Sequence, residues 1–359
     1  MKSLAWSLLV APLVIAACAA AAAPAKSSPT SVVDPEVAKL GGTLVVCNQQ
    51  AGTAFLIRLS DGTVARKIET GPGPHEAAVS PDGKTAIVTV YGNNDSIGDR
   101  IHLIDVAEGK ILKTISLGSY TRPHGAAFVG NDKAVLTSET TQNLVLVDLK
   151  EGKVERAMST GAQGSHMLAL VPDGKTVYSA NVGAGTITRF DVATGEKKGE
   201  AKVGAGSEGI GVSPDGQWVL TANRGDQSIS LVDTATMRTV KTLPAQGVPY
   251  RAAFSPDGKW GYVPNPHVGG LHVVDVAKQE LARNIEIGKG RGVVKVLGGP
   301  PHPMGAGIFV HPKGKIAFLT VLNANAVAVV DLEKGESIGS LPADASPDGV
   351  AWSPVETKG

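Results

Sequence analysis

Ser213-Pro214-Asp215-Gly216-Gln217-Trp218-Val219-Leu220-Thr221-Ala222-Asn223, followed by Ile229-Ser230-Leu231-Val232-Asp233, is the stretch that decides the fold of this 359-residue chain. Pro at the second position of a four-residue turn, with Asp and Gly behind it, sets up a tight reversal. A β-branched strand follows, then a polar break and a second short strand that closes on aspartate. The turn returns as Ser80-Pro81-Asp82-Gly83, Val129-Gly130-Asn131-Asp132, Val171-Pro172-Asp173-Gly174, Ser255-Pro256-Asp257-Gly258, His311-Pro312-Lys313-Gly314 and a degenerate Ser353-Pro354. Successive intervals are 49, 42, 42, 42, 56 and 42 residues. The closing aspartate returns at Asp105, Asp148, Asp191, Asp275 and Asp331, with Arg58 in its place in the first copy.

A period near 42 residues built only of strands and turns is the signature of a β-propeller, not of a helical solenoid. Residues 205–247 supply four strands, so each copy is a four-stranded antiparallel blade. The chain starts on a second strand (Thr43 to Asn48) and ends on a first strand (Gly349 to Pro354). Joined, these halves make one blade, giving an all-β, seven-bladed ring closed by its own termini, which removes exposed sheet edges. The expected organisation is an export signal over 1–25, a flexible tether over 26–41 and the propeller over 42–359.

Lys2 is followed by an apolar stretch from Leu4 to Ala17, too short for a comfortable membrane span and suited to an export signal. Ile15-Ala16-Ala17-Cys18 resembles a lipobox, which would lipidate Cys18; ordinary cleavage between Ala19 and Ala25 is the alternative. A periplasmic location follows, with contact to membrane only through such an anchor. Formal net charge is +1, which offers no long-range attraction to nucleic acid. Cys47 is the one cysteine beyond the signal, at a repeat position otherwise held by small residues, and reads as a packed thiol.

The second strand ends in a tetrad: Tyr178-Ser179-Ala180-Asn181, Leu220-Thr221-Ala222-Asn223, Tyr262-Val263-Pro264-Asn265 and Val45-Val46-Cys47-Asn48. With Ser-Pro-Asp-Gly ahead and Ile/Val-Asp behind, the chain resembles the YVTN-repeat propellers, the YncE-like proteins, over nearly everything after Gly42. The resemblance implies the fold and leaves activity open, because propellers carry many unrelated functions.

Where the copies differ is more informative. The second copy carries a surplus between Val90 and Ile101, read as a longer loop, and the sixth a 14-residue surplus near Lys289 to Pro303. Both fall on one face, opposite the Pro-Asp-Gly turns, where loops carry function. On that face, five residues before each turn mark, stand His75, His124, His166, Glu208, Tyr250, Ala306 and Asp348. His75, His124, His166 and Glu208 are candidate ligands for a transition metal or metallo-cofactor; the structural alternative is that they cap strand ends. Arg122, Asn181, Asn223, Tyr250, Arg251, Arg291, His302 and Asp348 are candidates for the ligand face. The Gly204-Ala205-Gly206-Ser207-Glu208-Gly209 string matches a dinucleotide fingerprint by letter but has no helix after it.

Three functions fit: an exported binding or interaction protein engaging a small ligand, cofactor or envelope protein; a metal- or tetrapyrrole-dependent enzyme of lactonase, lyase or redox type; and an envelope scaffold without a small ligand. No catalytic residue stands out.

Overall fold

The computed structural model describes residues 34–290 and 294–359, so the export segment, Cys18 and Arg291 lie outside the described residues. Seven four-stranded antiparallel sheets form a ring. Blade 1 pairs Pro347–Ser353, innermost, with Thr43–Asn48, Thr53–Arg58 and Val64–Glu69. Blades 2 to 7 follow in order over residues 74–116, 123–159, 165–202, 207–244, 253–286 and 305–342. Each innermost strand touches those of both neighbours all the way round.

The core is divided into seven apolar clusters, each shared by two adjacent blades. Leu220, Ile229, Leu231 and Leu243 of blade 5 meet Val263 and Val274 of blade 6 in one of them. Valine, leucine, isoleucine and alanine fill most of this space, and the few aromatics are spread between blades, with Tyr178, Phe190 and Phe318 the largest fully buried side chains. Cys47 is fully buried between blades 1 and 2, and burial raises its thiol pKa well above the ordinary value.

One face is stitched by the repeated turns. In blade 2, Ser80 Oγ accepts from the Thr85 amide at 3.0 Å and donates to Asp82 Oδ1 at 2.6 Å. Blades 5 and 6 repeat the arrangement with Ser213 and Asp215 and with Ser255 and Asp257. Each closing aspartate accepts an amide three residues on, as Asp233 does from Thr236 at 2.7 Å. The tetrad asparagines also serve the scaffold. Asn181 and Asn223 are fully buried and donate across their own hairpins to Thr186 and Thr188, and to Ser228 and Ser230.

Two segments differ from expectation and a third is held more closely than its length implied. The described end of the expected flexible tether carries structure: Asp34 caps a short helix, Pro35–Ala38, whose Val37 is buried against blades 1 and 7. The surplus in blade 2 is not a loose loop either. It lengthens the second and third strands to Thr85–Gly92 and Ile97–Asp105, pairing Gly92 with Ile97, so a stiff hairpin projects from the face. The 14-residue surplus before blade 7 is fastened at its described ends. Ser337 bonds the Lys289 carbonyl, and Asn323 holds the carbonyl of His302 and the amide of Met304.

Candidate functional site

The first strand of most blades begins with a register shift, for example between Pro74 and Ala77, Pro123 and Ala126, and Ser207 and Gly209. Such bulges re-aim a side chain. Here they turn His75, His124, His166, Glu208 and Asp348 together at one end of the channel, opposite the Pro-Asp-Gly turns. The following positions are mostly glycine because the strands converge too closely for a side chain. A Cβ on Gly209 would stand 2.4 Å from Arg251 Cα, and one on Gly349 2.6 Å from Glu76 Cα.

The five side chains form an arc with a carboxylate at each end. Asp348 Oδ2 lies 2.7 Å from His75 Nδ1. The His75 ring packs against His124 at 4.1 Å between centroids, tilted by 31°, and His124 against His166 at 3.9 Å, tilted by 46°. His166 Nε2 reaches Glu208 Oε1 at 2.8 Å, and its Nδ1 reaches Glu139 Oε2 at 3.2 Å. Arg251, from blade 6, closes the circle. Its guanidinium donates to Glu76 Oε1 at 2.7 Å and lies 3.5 Å from both Glu208 and Asp348. Glu76 and Arg251 come from opposite sides of the ring, so the channel is plugged by a buried ion pair.

Burial and charge pull these groups in opposite directions. Burial alone would depress His166, but the Glu208 and Glu139 carboxylates raise its pKa to about 9. Burial would raise Glu208, but His166, Arg224 and Arg251 hold it at about 2. His124 has no carboxylate; burial and two neighbouring imidazoles keep it neutral, its pKa well below the ordinary value. Both its ring nitrogens are buried without a hydrogen-bond partner. Burial also raises the Tyr250 phenol, whose ring lies under the Arg251 guanidinium at 4.4 Å.

A second tier, one residue beyond the tetrads, was hidden in the sequence. The blade 3 turn is one residue shorter than the others: Val129 pairs with Lys133, whereas the Val171 amide bonds the Thr176 carbonyl. That slip shifts the second strand, so Ser138 holds the asparagine position and Glu139 falls in register with Gln49, Tyr91 and Arg224. All four reach the arc or its ends. Gln49 lies 3.1 Å from His75 Nε2, the Tyr91 hydroxyl donates to Glu139 at 2.9 Å, and Arg224 pairs with Glu208 at 2.8 Å. Aligning the closing aspartates instead of the turns would have exposed this tier.

Beside the arc, over blades 1 to 3, lies a cavity of about 790 Å³ lined by Gln49, Gln50, Tyr91, Asn93, Asn94 and Arg122, among others. Arg122 sits at a left-handed φ of 53°. Its amide donates to the Gly98 carbonyl at 2.7 Å, and its guanidinium lies 4.7 Å over the Tyr91 ring. Among the described residues it makes no ion pair with a carboxylate.

The structure therefore gathers His75, His124, His166, Glu208, Tyr250, Arg251 and Asp348, and places Arg122 on the adjoining wall. Asn181 and Asn223 are not brought to the mouth, being spent inside their hairpins. His302 is held by the Pro266 carbonyl at 3.2 Å instead of joining the arc. Among the described residues, no three His, Cys, Asp or Glu side chains surround a common point as they stand.

Residues 135–302 match a family model described as YNCE-like beta-propeller. Over these residues the chain is similar to the YNCE-like propellers. Solved structures agree on the architecture. A functionally unknown protein from Desulfotomaculum acetoxidans superposes with a TM-score of 0.72 at 15% identity, over 88% of this chain and 100% of that one. Kuenenia stuttgartiensis hydrazine synthase gives 0.65 at 18% identity, over 79% of this chain and 90% of the other. At such identities the likeness is one of fold alone. The comparison with curated proteins returned no match.

Proposed function

We propose that this YNCE-like propeller is an exported binding protein that captures a small anionic ligand in the cavity beside the channel mouth. Export is supported by the apolar Leu4 to Ala17 stretch behind Lys2. The ligand class rests on Arg122. Its guanidinium lies over the Tyr91 ring and gives one N–H to the Asn93 carbonyl at 3.3 Å, so it is already positioned and keeps its remaining N–H groups for a carboxylate or phosphate. The left-handed backbone belongs to the repeat, since Gly73, Gly164, Gly206 and Ser346 share it at the equivalent position, and it fixes where the Arg122 side chain starts. The amides of Gln49, Gln50, Asn93 and Asn94 add neutral donors and acceptors around the same space. The other arginines of the mouth, Arg224 and Arg251, are already engaged by carboxylates.

Calorimetry with a panel of small mono- and dicarboxylates and inorganic phosphate tests this. At least one should bind the wild type, and Arg122→Ala should weaken it at least about tenfold, the equivalent of about 1.4 kcal/mol. Equal binding by Arg122→Ala, or no binding across the panel at millimolar concentration, would refute the reading.

A further inference from the structure

We propose that His75, His124, His166 and Glu208 bind one divalent transition-metal ion at the channel mouth. This site shares Gln49 and Tyr91 with the anion cavity as supporting residues but uses no atom of Arg122.

Three observations carry it. The first is His124, only 1% exposed and with both ring nitrogens unpartnered. An unsatisfied buried polar atom costs about 1–3 kcal/mol, a burden that a leucine or phenylalanine in the same space would avoid. A side chain carrying two such atoms, between two further imidazoles, is a poor way to fill a core and a good way to supply nitrogen donors.

The second is the outer support. Metal-binding histidines commonly give one ring nitrogen to a carboxylate, which fixes the ring and leaves the other nitrogen for the ion. His75 Nδ1 has Asp348 at 2.7 Å, and His166 Nδ1 has Glu139 at 3.2 Å. The Nε2 atoms are left towards Gln49 and Glu208 respectively. Glu139 is itself fixed by the Tyr91 hydroxyl at 2.9 Å. His166 is thus supported in the manner that metal sites use, while His75 Nδ1 lies close to Asp348 without an aligned hydrogen bond and is a further unpartnered nitrogen; Glu208 supplies an oxygen donor beside them.

The third is charge. Glu76, Glu139, Glu208 and Asp348 converge on the arc, against the guanidiniums of Arg224 and Arg251. The carboxylates outnumber the guanidiniums by two, so once the imidazoles are neutral, as metal binding requires, a divalent cation cancels the charge; binding therefore displaces the proton that His166 carries. Three imidazoles and one carboxylate suit zinc, copper or ferrous iron and are too rich in nitrogen for calcium or magnesium. In the structure the tilted rings pack in a row and do not converge, so binding turns them out of that row.

The test uses full-length, tag-free protein stripped with a chelator, then titrated with Co²⁺, Zn²⁺ and Cu²⁺ and assayed for bound metal. One ion per chain is expected, with Co²⁺ giving the visible bands of a four- or five-coordinate nitrogen site. His124→Phe keeps an aromatic ring in the row but removes both nitrogens. It should retain the wild-type circular dichroism and weaken metal binding, and Glu139→Gln should weaken it about 10- to 100-fold through the lost support. His302→Ala should change nothing, and Arg122→Ala should still bind metal. Substoichiometric binding of all three ions, or unchanged binding by folded His124→Phe, would overturn the proposal and leave the row of rings as packing alone.

Discussion

The two ends of the channel are built from the same seven strands yet obey opposite rules. At the turn end, serine, aspartate and backbone amides satisfy one another within a few residues, and the solution is copied from blade to blade. One cavity there, of about 480 Å³, is lined largely by Phe128, Leu168, Leu170, Val171 and turn residues, and another, of about 500 Å³, by turn residues with Asp257, Arg283, Lys313 and Glu333. At the mouth, hardly any side chain is satisfied within its own blade. Asp348 looks to His75, His166 to Glu139 and Glu208, and Arg251 across the channel to Glu76. Local satisfaction gives repetition; satisfaction between blades gives individuality. A function resides where residues depend on distant partners, because only there does each position carry a different chemical identity.

Arg251→Ala tests that contrast most severely. It leaves Glu76, Glu208 and Asp348 buried around a missing cation, and should cost about 3–5 kcal/mol in denaturant unfolding. A loss below about 1 kcal/mol would mean that the plug is wet and the mouth no more interdependent than the turn end.

Acidity gives a smaller, graded effect. The raised His166 pKa contributes stability that is fully present below pH 6.5, its unperturbed value, and lost as pH rises through about 9. The lowered Glu208 pKa contributes stability present above 4.5 and lost as pH falls through about 2. The His166–Glu208 pair should therefore be firmest between pH 4.5 and 6.5, whereas the depressed His124 removes stability as pH falls below 6.5, so melting temperature should peak near pH 6.5 and decline towards pH 9. His166→Gln should flatten the alkaline limb; an unchanged limb would separate this pair from global stability.

The smallest effect belongs to the turn end. Asp215→Ala removes one set of local bonds at an exposed turn and should cost about 0.5–1.5 kcal/mol, with no change in ligand or metal binding. A larger loss, or any change in binding, would show that the two ends communicate.

The same contrast explains what could be read from the sequence. The blades were legible because turn and strand signals are local and repeat in register. The arc of His75, His124, His166, Glu208 and Asp348 was legible as well, since equivalent positions in a ring converge by symmetry. Glu76 and Arg251 were harder to pair because their contact spans 175 positions and two opposite blades. Glu139 was masked by a single missing residue in the Val129 to Lys133 turn, which shifts one strand against the repeat. The projecting hairpin was seen as extra length, but length alone does not distinguish a loop from longer strands.

The closing blade carries one further implication. Thr43 pairs with Ser353, and the Ser353 hydroxyl donates to the Gly83 carbonyl in the blade 2 turn. The N-terminal and C-terminal strands thus both leave from the turn face. A tag or surface attached close to either of these strands therefore meets the ring on its turn face, away from the mouth.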